Sequence, residues 1–198
     1  MFPNGHTIPF SGQSAGGSAS RRGTGTTVSP AATVVANGPA QIAANAADLA
    51  THFPPDARAR MKTTYVQAFD AFKQFERKLH LTDNDVANGV SAYIAGNYMV
   101  LHGMEIADAD FLKIVSQVRQ ALLQNRGFQQ VPAAQKRRLY EQTAMVGMFM
   151  AIAQISRRTA SEDPDAVRNL QNSSRANLEL VLGKRAANLR IDGEGMHL

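Results

Sequence analysis

The stretch TDNDVANGVSAYIAGNYMVLHG, Thr82 to Gly103, reads as one helix with both ends written into it. Thr82 is placed to cap the first turn, Asp83 and Asp85 suit the positive end of the helix dipole, and Gly103 supplies a left-handed stop. Val86, Val90, Tyr93, Ile94, Asn97 and Leu101 share one face, and Gly89, Ala92 and Gly96 make a stripe of small residues beside it. This is a packing element and not a catalytic one.

Helical patterning extends outward from it in both directions. Upstream, Ala-rich residues 40–51 form a short leading helix that ends before Pro54. Pro54-Pro55-Asp56 opens a long helix in which Met61, Tyr65, Phe69, Phe72, Phe75 or Glu76, and Leu79 recur at steps of three and four. Downstream, a helix from Asp108 to Gln124 carries Phe111, Val115, Val118 and Leu122 on one face and is stopped near Gly127. Pro132 starts a long helix running to about Thr159, whose middle, AMVGMFMAIA, is apolar all the way round and is expected to be the most enclosed element. Asp163-Pro164 opens a last helix with Val167, Leu170, Ser174, Leu178 and Val181 inward and Gly183 as its stop. A turn at Asp192-Gly193 and a short extended piece at Leu189 to Ile191 follow. The reading is an all-α bundle of five main helices plus the short leading one, spanning residues 40–198 as a single domain.

Residues 1–39 differ in kind. They are rich in Gly, Ser, Thr and Pro and contain Arg21 and Arg22 but no acid, a composition that cannot bury enough apolar surface to offset its ordering entropy. They read as a disordered tail or targeting segment, without the basic n-region and apolar h-region of a secretory signal.

Gly89 and Gly96 each cost about 1 kcal/mol relative to alanine inside a helix. A matching stripe of small residues, Ala144, Gly147 and Ala151, lies in the middle of the Pro132 helix. The two stripes predict a close crossing that offsets the cost.

Composition removes whole classes of chemistry. The chain of 198 residues has no cysteine, which excludes disulfides, thiolate catalysis and cysteine-bound metal centres. Twenty-one Lys and Arg against 16 Asp and Glu give a net +5. Without a concentrated basic face interleaved with aromatics, that charge argues against a nucleic-acid surface. The longest apolar run, Ala144 to Ala153, is about half of the ~20 residues that a bilayer crossing requires.

Local motifs are equally bare. Asp83, Asp85 and Asn88 resemble the start of a calcium loop, but the register fails at the glycine and terminal glutamate positions. His80 with Asp83 and Asp85, and His102 with Glu105, are the only local pairings of metal-binding type, and helix-end placement explains both histidines. No nucleophile elbow, P-loop or dinucleotide fingerprint occurs in a supporting context. The Lys136-Arg137-Arg138 cluster stands near the wrong end of its helix for the dipole, which makes a partner conceivable, but it reads first as solvated surface.

At Leu81, Asp85-Val86-Ala87 and Ser91-Ala92-Tyr93, continuing through Tyr98 to Gly103, the chain resembles a family of small, uncharacterised bacterial all-helical proteins with a DVA…AAY-type helix. The resemblance runs from about Ala50 to Ile191. It implies an all-α domain, often behind an exported or low-complexity N-terminus, and it supplies no catalytic residue.

The sequence therefore predicts a soluble helical protein that acts through an unidentified protein partner, with homo-oligomerisation left open. No catalytic, cofactor or metal residue is assigned. One alternative is an exported effector or envelope-associated protein addressed by the tail. The other is a small-ligand binder or enzyme using Tyr93, Asn97, Tyr98 and His102.

Overall fold

A computed structural model describes residues 39–157 and 163–198. The tail reading falls outside these residues except for its last position, as does the expected helix end at Thr159. The described chain is an all-α bundle: α1 (Ile42–Ala50), α2 (Pro55–Lys78), α3 (Val86–His102), α4 (Asp108–Gln124), the single turn α5 (Arg126–Gln129), α6 (Ala133–Arg157) and α7 (Pro164–Leu182). A 3-10 helix, Gly183–Asn188, leads to a small hairpin of β1 (Arg190–Asp192) and β2 (Gly195–His197).

α3 is the axis of the molecule. Every residue from Val86 to Val100 is buried, because α6, α4 and α7 all pack on it. This corrects the expectation that α6 would be the most enclosed element. α6 carries more apolar residues than α3 can cover, so Ile152 and Ile155 are 42% and 50% exposed.

The α3–α6 crossing brings backbones together. A methyl group on Gly96 would overlap the Gly147 carbonyl, one on Gly147 would overlap the Ala92 carbonyl, and one on Gly89 would lie 2.7 Å from the Tyr140 carbonyl oxygen. Ala144 is fully buried, whereas Ala151 is half-exposed further along α6.

The helix ends differ from the sequence reading in two places. Asp85, not Thr82, caps α3: its side chain accepts the Ala87 N–H at 2.8 Å, while the Thr82 carbonyl accepts from the Asn88 amide. Asp83 and Asp85 therefore precede the helix rather than occupying its first turn. α4 ends at Asn125, whose side chain caps α5 through the Phe128 N–H, so Gly127 lies inside α5 and stops nothing. Gly103 does end α3, at φ 66°.

The hairpin docks on α4 by side-chain mimicry of a strand. The Gln117 amide accepts the Met196 N–H at 2.7 Å and donates to the Met196 carbonyl at 3.2 Å, and buried Ile191 and Met196 sit opposite each other.

Candidate binding site

The ionisable residues of the interior converge on one polar network that touches α1, α2, α3, α4 and α6. Its first centre is Glu76, fully buried on the aromatic face of α2. Glu76 accepts from Lys73 at 2.6 Å, from the Tyr140 hydroxyl at 2.8 Å and from the Asn88 amide at 2.9 Å. Lys73 also donates to Asp83 at 2.6 Å, and Arg119 on α4 pairs with Asp85 at 2.8 Å. Burial raises the Tyr140 pKa, and the negative charge and hydrogen bond of Glu76 raise it further. Burial pulls the Lys73 pKa down, but hydrogen bonds to Asp83 and Glu76 outweigh it and the net shift is upward.

The second centre is Glu141, also fully buried. It accepts from Arg137, from the Asn45 amide at 2.6 Å and from the backbone N–H of Gln41 at the start of α1. Arg137 donates onward to Asn84 at 3.0 Å and lies 5.8 Å from the Tyr140 ring centroid, which links the two centres. The Lys136-Arg137-Arg138 cluster thus has partners within the chain: Lys136 lies over the Phe128 ring, Arg137 serves Glu141, and Arg138 pairs with Asp48 at 2.6 Å. Lys136 and Arg138 tie α6 to α5 and α1, whereas the Arg137–Glu141 pair lies within α6. None of these contacts leaves a buried nucleophile beside a free base.

Two concavities flank α1. One, of about 500 Å³, lies between the start of α1, α2 and the start of α6, with Lys73, Arg77, Asn84 and Arg137 on its walls. The other, of about 680 Å³, is a groove between α6 and α7 closed at one side by the end of α1. Phe53, Tyr65, Val146, Phe149, Leu170 and Leu180 give it an apolar lining, and Gln142, Asn169, Ser173 and Asn177 supply amides and a hydroxyl. Its volume falls within the usual range of small-molecule and peptide-anchor sites. Tyr65 packs on Phe149 with ring centroids 5.6 Å apart, and burial pushes its pKa up to about 12. Burial likewise raises Tyr93. Both phenols stay protonated donors at neutral pH.

The structure divides the four residues singled out as a ligand region. Tyr93 lines the groove. Asn97 is fully buried and accepts from Asn177 on the groove wall at 2.9 Å, so it orients a lining residue without reaching the space itself. Tyr98 and His102 stack on each other with centroids 4.2 Å apart and do not line the groove. The α6 and α7 residues that build most of the lining escaped the sequence reading. Their one signal was the surplus of apolar residues on α6.

Among the described residues, no group of three His, Asp or Glu side chains converges as a metal site, and no helix is long and apolar enough to cross a membrane.

A family model covers residues 8–198, nearly the whole chain. The protein belongs to DUF6683, a family of unknown function. No curated protein and no solved structure matches the chain. Membership agrees with an uncharacterised all-helical domain and adds no activity to it.

Proposed function

We propose that this DUF6683 member is a non-catalytic binding domain that receives an apolar-faced segment of a partner protein in the α6–α7 groove. The observation that supports it is the contrast between the two kinds of site. The buried carboxylates Glu76 and Glu141 are held by cross-helix hydrogen bonds, whereas the groove presents an apolar floor with amides and a hydroxyl on its walls and His52 and the Asp48–Arg138 pair at its α1 side. Such a lining suits a peptide or amphipathic helix, where apolar anchors give affinity and scattered amides give register. Buried α3, with Asp85-Val86-Ala87 at its start and Tyr98 in its last turns, is then the segment by which we expect family members to be recognised.

The test is crosslinked capture from the host with the full chain, beside a Ser173→Trp variant that fills the groove from an exposed position. A protein partner recovered by the parent and lost by a Ser173→Trp form of parental melting temperature supports the reading. Equal recovery by both forms rejects it. The small-ligand alternative rests on Tyr93 at the groove floor: a metabolite that raises the parent's melting temperature and not the variant's favours it instead. Export through residues 1–39 rests on their composition, and identical cytosolic retention of the full chain and a form lacking them removes it.

A further inference from the structure

We infer that the cleft between the start of α1, α2 and the start of α6 is a site for one compact oxyanion, a phosphate or carboxylate group, gripped by Arg77 and Arg137. Lys73 and Arg77 are one helical turn apart on α2 and share a face, and Arg137 enters from α6, so three cations line a cleft of about 500 Å³. Lys73 is already paired with Asp83 at 2.6 Å, so the capacity for an anion rests on Arg77 and Arg137. Glu76 and Glu141 are fully buried, and each is shared with neutral donors: Tyr140 and Asn88 for the first, Asn45 and the Gln41 N–H for the second.

Two guanidinium groups retain unspent capacity. Arg137 commits Nε to Glu141 and Nη1 to Asn84, while Nη2 makes no hydrogen bond among the described residues. Arg77 is exposed and has no ion-pair partner among the described residues. Planar forks of this kind match the oxygen edge of a carboxylate or phosphate. Asn84, which adds an amide to the wall, holds a left-handed backbone at φ 59° that asparagine tolerates and that Arg137 pins through its side chain. Asp70, exposed on the same lining, opposes a bound anion, so the grip must come from the two guanidinium groups.

The experiment titrates the full chain with inorganic phosphate, with acetate and with chloride at constant ionic strength, reading melting temperature. At about ten times its dissociation constant, the bound anion raises the melting temperature by about 3 °C over chloride. Phosphate acting alone marks a phosphoryl ligand, and acetate acting alone marks a carboxylate. Arg77→Gln, compared with its own anion-free melting temperature, is expected to lose the rise, as is Gln74→Glu, which places a carboxylate on the wall. No rise above chloride with either anion, or an undiminished rise in both variants, overturns the site. Because the groove is a separate space, neither result bears on the partner reading.

Discussion

Glu141 on α6 caps the start of α1, a helix that begins one hundred residues earlier: its two carboxylate oxygens lie 3.2 and 3.1 Å from the Gln41 backbone nitrogen. α1 has no side-chain cap of its own, and its buried apolar residues are only Ala46 and Ala50. Partly buried Ile42 and Leu49 add apolar contact with the core, and polar ties supplement it. Asp48 with Arg138 makes the second tie, in a more exposed setting.

Removing the two ties is expected to have unequal effects. Glu141→Ala leaves Arg137 buried without its counter-ion and the α1 start without an acceptor, a loss of about 3–5 kcal/mol. Asp48→Ala breaks an exposed pair worth about 1 kcal/mol or less. Urea unfolding gives the magnitudes, and amide exchange locates them: Ile42–Ala50 should exchange faster in Glu141→Ala. A Glu141→Ala midpoint equal to the parent's would refute the polar attachment of α1.

At the α3–α6 crossing the expected sign is opposite to helix propensity. Gly96→Ala gains about 1 kcal/mol of propensity. The added methyl overlaps the Gly147 carbonyl, which is backbone and cannot rotate away, so the helices must separate. Overpacking of this kind costs about 1–3 kcal/mol, and separation of the central pair adds lost contacts. A net loss of about 2 kcal/mol is expected for Gly96→Ala and a larger one for Gly96→Leu. A variant at least as stable as the parent in urea would show that the backbones do not approach there.

How much of this was legible in the sequence differs residue by residue. Periodicity and end signals were local, so the aromatic stripe of α2, the α4 face and the Asp163-Pro164 start could be read directly. Capping preferences admit both Thr82 and Asp85, and they do not register Arg119, which pairs with Asp85 from another helix. The polar network was hidden for the same reason, since Tyr140 meets Glu76 across 64 positions and Asn45 meets Glu141 across 96. One trace of it was visible: a glutamate standing in the inward row of an aromatic stripe. The groove left less trace, because its lining is divided among α1, α2, α3, α6 and α7 and no single segment carries its pattern.

The C-terminal hairpin is expected to depend on one side chain. With three residues per strand it is too short to stand alone in water. Gln117→Ala removes both bonds to Met196 and leaves its backbone groups half-buried without partners, at about 1–3 kcal/mol. Amide exchange of Ile191 to His197 should rise with little change in α3. Retained protection in the hairpin would mean that Ile191 and Met196 hold it by burial alone.

Alkaline pH probes the interior through its phenols. Burial raises the pKa of Tyr65, Tyr93 and Tyr140, and Glu76 pushes Tyr140 further. In the unfolded chain all three titrate near 10. Above that pH the unfolded state binds fewer protons than the folded state, so stability falls as pH rises. The stabilisation is fully present below about pH 10 and is lost as pH climbs toward the raised folded values, at up to about 1.4 kcal/mol per pH unit for each phenol. Lys73, also raised, acts in the same direction above about pH 10.5. Tyr140→Phe should cost about 1–3 kcal/mol at neutral pH by removing a donor from Glu76, yet lose stability less steeply above pH 10 than the parent. Urea midpoints measured between about pH 8 and pH 11 decide it. Parallel curves for parent and variant would show that the Tyr140 hydroxyl is not held protonated against Glu76.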